Sequence, residues 1–157
     1  MDSKWHKRFM ELARFYSTWS VDPSSKIGAV AVDPILKKPL AQGWNGFPRD
    51  IQDTPERYAN REVKYDLIVH AEMNVIYNST YTGTSLKGAY LYVWGLPVCH
   101  ECAKGIIQVG IDKVYISAYC LFEHTRTKAW ADSWEKTTKL FHEAGVKWGT
   151  VEDFVKD

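Results

Sequence analysis

Four residues of this chain have side chains and spacings suited to metal chemistry. His70 and Glu72 lie two positions apart in the otherwise apolar run IVHAEMNVIYN, and Cys99 and Cys102 form a C-x-x-C pair downstream. Burying titratable groups is costly unless each has a partner. One imidazole and two thiolates can share a metal ion, which would give three of these groups a partner.

Three protein ligands are typical of a catalytic zinc site, because catalytic zinc keeps its fourth position for water. Zinc lowers the pKa of that water to about 7. The carboxylate of Glu72, two residues from a predicted ligand, could then take the proton and pass it to a substrate. These residue types together predict a hydrolytic zinc enzyme.

Other interpretations of the same residues stay open. A structural zinc site would need a fourth protein ligand, and the sequence offers His100, Cys120 and His124. His70 alone would suggest a core histidine with satisfied hydrogen bonds, and C-x-x-C alone a redox dithiol. Neither explains Glu72 beside His70.

The elements that must position these residues follow from hydrophobic periodicity and turn signals. Trp5, Phe9, Leu12, Tyr16 and Trp19 form one stripe of an amphipathic helix. The sequence further predicts the following order: helix 3–20, strands 26–33 and 40–44, helices 51–66 and 68–78, strand 88–95, helix 99–110, strand 113–117, helix 131–145 and the short apolar 146–148. A strand hairpin followed by alternating helices and strands predicts a mixed central sheet of about five strands in a three-layer α/β/α fold, as one domain over 1–157.

Composition narrows the class of protein. The chain has 157 residues, 45% hydrophobic and 25% charged, with a net charge of +1. No apolar run approaches the roughly 20 residues of a membrane span, and residues 1–9 lack the order of a secretory signal. We therefore expect a cytoplasmic protein that binds neither membrane nor nucleic acid. Seven tryptophans among 14% aromatic residues predict an aromatic pocket or subunit interface.

H-x-E followed by P-C-x-x-C is the signature of zinc deaminases. The chain resembles the deoxycytidylate (dCMP) deaminases of that superfamily from about residue 18 to 147. The stretches that carry the resemblance, in the family's order and spacing, are DPSSKIGAVAVDP, GWNGFPR, KYDLIVHAEMN and CHECAKGIIQVGI. The resemblance implies a cytidine-deaminase-like fold, one Zn²⁺ held by His70, Cys99 and Cys102, and hydrolysis of dCMP to dUMP and ammonia.

The resemblance also implies roles for individual residues. Water activated by zinc would attack C4 of cytosine, while Glu72 carries protons to N3 and then to the leaving amine. The backbone N–H of Ala71 would bind the base O2, and the carbonyl of Val98 would accept from the exocyclic amine. Asn45 would bind the sugar, and Tyr119 would lie against the base.

Binding a nucleotide rather than a nucleoside requires cations for the phosphate. The candidates are Lys26, Arg49 and Arg61, of which Lys26 is best matched by position. Each of them would equally suit a solvated surface.

Regulation and assembly are further implications. Gly43-Trp44-Asn45-Gly46 matches a motif that in several family members helps to form an allosteric site for dCTP and dTTP. It would equally suit a strand that ends in a glycine-rich turn. Homo-oligomers are common in the superfamily, so we expect one here.

Two stretches depart from the family pattern. Members usually have proline directly before the first cysteine, whereas Pro97-Val98-Cys99 interposes a residue that would move the carbonyl expected to bind the amine. The aromatic segment 118–134 is also unlike the pattern, and would suit a lid, an interface or a pocket for a modified base.

The alternatives belong to different functional classes. One is another zinc deaminase, acting on a nucleoside, a free base, a modified cytosine nucleotide, a pterin-like ring or a tRNA adenosine. The tRNA substrate is disfavoured by the near-neutral charge. The others are a non-catalytic nucleotide sensor, which would have no use for Glu72, and a scaffold that assembles through aromatic surface.

Overall fold

The computed structural model describes residues 1–152, where five strands and seven helices alternate; residues 153–157, the end of the predicted domain, lie outside the described part. The strands are β1 (Gly28–Asp33), β2 (Lys38–Trp44), β3 (Tyr90–Trp94), β4 (Lys113–Ser117) and β5 (Lys147–Val151). The helices are α1 (Ser3–Ser17), α2 (Pro55–Ala59), α3 (Arg61–Leu67), α4 (Ala71–Thr82), α5 (His100–Gln108), α6 (Ala118–His124) and α7 (Lys128–Ala144).

The strands form one mixed sheet in the order β2-β1-β3-β4-β5. β1 pairs antiparallel with β2 and β3, whereas β3–β4 and β4–β5 are parallel. Parallel neighbours need long crossovers, which α5 and the pair α6–α7 supply. This confirms the predicted mixed sheet of about five strands, with β3 at its centre.

Helices cover both faces of the sheet, as predicted. α1 buries Phe9 and Met10 against Val30 and Tyr92 on one face. The opposite face, which includes Leu91 and Val93, packs into the larger core with α4, α5 and α7. The alternation of side chains along each strand separates the two clusters, so the fold is the expected three-layer α/β/α arrangement.

Two segments differ from the sequence prediction. Residues 51–66 form two short helices, because Asn60 is extended at φ −86° and ψ 104° and caps α3 by accepting from the Val63 N–H at 3.2 Å. α6, which was not predicted, begins where the Ser117 hydroxyl accepts from the Cys120 N–H at 3.1 Å.

Glycine at position 43 allows α4 to lie directly on β2. A Cβ placed on Gly43 would lie 2.6 Å from both the Ala71 carbonyl oxygen and the Val75 nitrogen, which are backbone atoms of α4. Because the backbone there cannot yield as a side chain can, the position of the α4 N-terminus depends on this contact. Within residues 1–152, no helix is long and apolar enough to cross a membrane.

Gly43→Ala is expected to destabilise the fold by about 1–3 kcal/mol or more, because overpacking against backbone forces α4 away from the sheet. Gly46→Ala is the matched control within the same motif, since a Cβ there meets nothing within 4 Å. Urea unfolding of both variants measures the difference. Equal stability of the two would show that the α4–β2 contact does not constrain the helix.

Candidate functional site

Two helix N-termini bring the predicted metal ligands together. His70 is the N-cap of α4, Cys99 is the N-cap of α5, and Cys102 lies in the first turn of α5. The donor atoms of all three lie within 4.8 Å of one another. The two helices approach closely because α5 has Gly105 where a Cβ would lie 2.9 Å from the Met73 sulfur of α4.

The distances fit a zinc ion. His70 Nδ1 lies 3.5 Å from Cys99 Sγ and 3.3 Å from Cys102 Sγ. In a tetrahedral site with Zn–S of about 2.3 Å and Zn–N of about 2.0 Å, neighbouring S and N ligands lie roughly 3.5 Å apart. The donor set and its spacing therefore suit Zn²⁺ with three protein ligands.

The three donors also perturb one another's protonation. Hydrogen bonds from Cys102 and His70 hold the pKa of Cys99 well below its usual range, so this thiolate is favoured. The hydrogen bond with Cys99 raises the pKa of His70 to about 9, against the opposing effect of burial. The bond with Cys99 and burial raise the pKa of Cys102. A thiolate already present at the site favours binding of a cation.

Glu72 lies in the first turn of α4 and is only 4% exposed. Burial raises the pKa of this carboxyl, while His70 and a hydrogen bond with Cys102 act in the opposite direction. A carboxyl with a raised pKa beside a metal site is suited to accept and return a proton.

A cavity of about 250 Å³ opens onto these residues. His70, Ala71 and Glu72 line it from α4, and Leu96 and Pro97 line it from the loop that precedes Cys99. Its other lining residues are Asp22, Ser25, Ile27, Asn45, Lys64, Tyr65, Ile68, His124 and Trp130. The metal ligand His70 and the predicted proton carrier Glu72 thus line the same cavity, and Cys99 follows directly after its loop.

Asn45 lines the cavity but is also a structural hub. It is 3% exposed, and its side-chain amide donates to the Ser25 carbonyl at 2.8 Å and to Asp22 at 3.3 Å. Its Oδ1 accepts from the Ile27 N–H at 2.9 Å. These bonds hold the loop before β1 against the cavity, and the predicted contact with a sugar stays a prediction.

The cation that reaches the cavity is Lys64, which the sequence analysis did not single out. Its ammonium lies 2.8 Å from the Asp22 carboxylate, with the two side chains 14% and 2% exposed. Both residues stood within the stretches DPSSKIGAVAVDP and KYDLIVHAEMN, but nothing in the sequence shows that they pair across 42 positions.

The three predicted phosphate-binding residues do not line the cavity. Lys26 is exposed and donates to the Ser20 carbonyl. Arg49 donates to Asn78 and lies over the Tyr81 ring. Arg61 lies 5.2 Å from the ring centroid of the cavity-lining Tyr65, and Lys26 lies between the lining residues Ser25 and Ile27 in the chain.

Val98 and Tyr119 are not brought to the cavity either. The carbonyl of Val98, which is fully buried, accepts from the Thr137 hydroxyl of α7 at 2.9 Å. Tyr119 is 38% exposed on α6 and is not among the cavity-lining residues. From the aromatic segment 118–134, the residues that reach the cavity are His124 and Trp130, on either side of the turn between α6 and α7.

The structure also bears on the alternative of a structural zinc site with four protein ligands. Among residues 1–152, the cluster that could hold a metal has three members, His70, Cys99 and Cys102. The ring of His100 instead hydrogen-bonds Ser133 at 3.0 Å. This arrangement favours three protein ligands over a closed structural site.

The motif Gly43-Trp44-Asn45-Gly46 lies between two cavities. Asn45 faces the first, whereas Trp44 and Gly46 line a second of about 440 Å³. Arg49 lines that second cavity as well, opposite Asn74, Tyr77 and Asn78 of α4.

Comparison with known proteins gives consistent results. Residues 3–118 match the family model described as the cytidine and deoxycytidylate deaminase zinc-binding region. A protein described as an uncharacterized deaminase in the luxG 3′ region of Aliivibrio fischeri is 35% identical over 149 residues, which cover 94% of this chain and 93% of that protein. Human deoxycytidylate deaminase is 38% identical over 116 residues, covering 71% of this chain and 63% of the human protein.

The probable deoxycytidylate deaminase of Drosophila melanogaster is 40% identical over 124 residues, or 72% of this chain. The chain spans 59% of the length of the Drosophila relative and 63% of the human one. Among solved structures, dCMP deaminase of the cyanophage S-TIM5 in complex with dCMP and dUMP has a TM-score of 0.73 at 23% identity, covering 96% of this chain and 98% of that one. That likeness confirms the predicted fold.

Lys64→Met is expected to cost about 3–5 kcal/mol of stability, because it leaves the Asp22 carboxylate buried without its partner. Lys7→Met, at an exposed lysine of α1, should change stability by no more than about 0.5 kcal/mol. Thermal or urea unfolding of the two variants provides the comparison. If Lys64→Met is as mild as Lys7→Met, the buried ion pair does not hold the cavity wall.

Proposed function

This chain belongs to the cytidine and deoxycytidylate deaminase family, and we propose that it hydrolyses dCMP to dUMP and ammonia. The observation that carries the proposal is the buried Glu72 at a cavity that it shares with His70, beside the thiols of Cys99 and Cys102. The relatives named deoxycytidylate deaminase support the choice of substrate.

We assign the metal to His70 Nδ1 and the two cysteine sulfurs. Zinc bound there would supply a Lewis acid that makes water nucleophilic near neutral pH. The protein's part is to hold one imidazole and two thiolates at the N-termini of α4 and α5, whose positive ends stabilise the thiolates.

Glu72 is the proposed proton carrier. Its carboxylate takes a proton from the attacking water and delivers it to N3 of the ring, and it then carries a second proton to the departing amine. The C4–O bond forms and the C4–N bond breaks, so that one water is consumed and one ammonia is released. Burial suits this role because it raises the pKa of the carboxyl toward the working pH.

The base would be oriented by backbone groups around the same site. Ala71 is the first residue of α4, where N–H groups have no partner within the helix. Its N–H is therefore assigned to the base O2. Because Val98 is fully buried and does not line the cavity, we assign the exocyclic amine to the backbone carbonyls of the cavity-lining Leu96 and Pro97 instead.

The phosphate is assigned to Lys64. Lys64 and Asp22 both line the cavity, and their ion pair at 2.8 Å restrains the position of the ammonium. Arg61, whose guanidinium lies 5.2 Å from the ring centroid of the cavity-lining Tyr65, is our second candidate cation for the phosphate. The phosphate of a nucleotide would give both cations an anionic partner. A nucleoside has no phosphate, so Asp22 would remain the anionic partner of Lys64.

Two further sequence predictions have structural support. Strands from residues 28 to 151 join one sheet, which supports a single catalytic domain. Phe15 and Trp19 are 55% and 48% exposed, which supports the predicted homo-oligomer through an aromatic surface. Both stay predictions.

Regulation by dCTP and dTTP is assigned to the second cavity, beside Trp44, Gly46 and Arg49. Asn45 faces the first cavity, while its chain neighbours Trp44 and Gly46 line the second. A triphosphate bound in the second cavity would therefore contact the same segment that supports the substrate site. Arg49 offers the cation that a triphosphate requires.

Glu72→Gln is expected to lower dCMP turnover by about 10²- to 10⁴-fold, because the amide cannot carry the proton. Zinc content and dCMP binding should be retained. Metal analysis, calorimetric titration with dCMP and ultraviolet loss of the cytosine chromophore measure the three quantities. The control is Glu101→Gln, an exposed first-turn residue of α5 paired with Lys104 at 2.6 Å. Full turnover in Glu72→Gln would contradict the assignment.

Arg49→Met is expected to abolish the effect of added dCTP or dTTP on the rate, and to leave the basal rate unchanged, since Arg49 lies outside the substrate cavity. Arg8→Met is the control, because Arg8 lies over the ring of Trp5 at 4.8 Å much as Arg49 lies over that of Tyr81 at 5.1 Å. Either of two results would overturn the effector site. In one, the rate of Arg49→Met still responds to dCTP or dTTP; in the other, the rate of the unmodified chain responds to neither.

A further inference from the structure

The zinc-ligand loop is held on both sides of Cys99 by a single helix, α7. Cys99 lies between Val98 and His100, and the backbone of each of these neighbours bonds to an α7 side chain. Cys99 is partly buried against the core, and its sulfur accepts from the Cys102 N–H at 3.4 Å. The contacts of the two neighbouring peptide groups with α7 add a further restraint on where that sulfur lies.

On the N-terminal side the contact is made by Thr137. Its hydroxyl donates to the Val98 carbonyl at 2.9 Å, and both residues are 0% exposed. A buried carbonyl that loses its donor carries a large desolvation cost, so the loop is strongly held in the position that satisfies this bond.

On the C-terminal side the contact is made by Ser133. Its oxygen accepts from the His100 N–H at 3.2 Å and also hydrogen-bonds His100 Nδ1 at 3.0 Å. The first N–H groups of a helix have no partner within it. Ser133 thus supplies from α7 a cap for the start of α5, one residue after Cys99.

These side chains lie on one face of α7. Trp130, Ser133, Thr137 and Phe141 recur at steps of three and four, the spacing of a helix face. Trp130 lines the substrate cavity, and Phe141 is fully buried in the core. One rigid helix therefore connects the cavity wall, the metal-ligand loop and the core. It lies beyond residue 118, outside the part that matches the family model.

We propose that Ser133 and Thr137 are positioning residues that hold Cys99 in the geometry required by the zinc ion. The proposal rests on the metal-binding part of the proposed function and not on the choice of substrate. The residue interposed between Pro97 and Cys99, Val98, is the one whose carbonyl Thr137 binds.

The test is the zinc affinity of folded variants, measured by competition with a chromophoric chelator. Thr137→Val and Ser133→Ala should each weaken zinc binding by about 10- to 100-fold, the usual effect of removing a residue that orients a metal ligand. Thr137→Ser, which keeps the hydroxyl, should restore most of the affinity. With Co²⁺ in place of zinc, the thiolate-to-metal absorption should shift in the weakened variants.

Thr138→Val is the matched control, because the Thr138 hydroxyl donates to the Glu135 carbonyl of its own helix rather than to the zinc-ligand loop. A purely structural role would lower the melting temperature and leave zinc affinity and the Co²⁺ spectrum unchanged. If Ser133→Ala, and Thr137→Val where it folds, binds zinc as tightly as the Thr138→Val control, the proposal is wrong. Ser133→Ala removes only a half-buried hydroxyl, so the test stands even where Thr137→Val does not fold.

Discussion

The structure depends on the convergence of two helix N-termini on four titratable side chains. His70 and Glu72 at the start of α4 meet Cys99 and Cys102 at the start of α5, and the imidazole lies 3.3 and 3.5 Å from the two sulfurs. The carboxyl of Glu72, which is only 4% exposed, would destabilise the fold if it had no partner. His70, Cys99 and Cys102 together form a donor set for one zinc ion beside this carboxyl. Binding of the metal would offset the free-energy cost of holding these groups close together.

The rest of the fold holds those two helix starts in place. Gly43 lets α4 rest on β2, and Gly105 lets α5 approach Met73 of α4. The loop that leads into α5 is tied to α7, and the loop before β1 is tied to Asn45. Each contact is a close approach or a buried hydrogen bond, so that a displacement of about an ångström at any of them would move the metal ligands.

Sequence reasoning is strongest where the signal is local. The metal ligands follow from fixed short spacings and form one cluster in the structure, and the strands follow from apolar runs bounded by turns. Short spacings do not indicate contacts between distant parts of the chain. Lys26 was favoured for the phosphate by position, whereas Lys64, paired with Asp22, is the lysine that lines the cavity. Likewise, no local pattern indicates that the Val98 carbonyl accepts from Thr137, 39 positions away. His124 and Trp130 reach the cavity only because α6 and α7 fold back over it.

The most direct test of the central claim is the loss of ultraviolet absorbance when the zinc-loaded protein is mixed in turn with dCMP, CMP, deoxycytidine and dCTP. Because Lys64 lies at the cavity beside the metal site, we expect dCMP to be converted to dUMP and deoxycytidine to react far more slowly. No conversion of any of the four by protein that holds one zinc per chain would contradict the account. Equal rates for dCMP and deoxycytidine would show that the protein does not use the proposed phosphate site. The protein would then be a zinc deaminase of another substrate class.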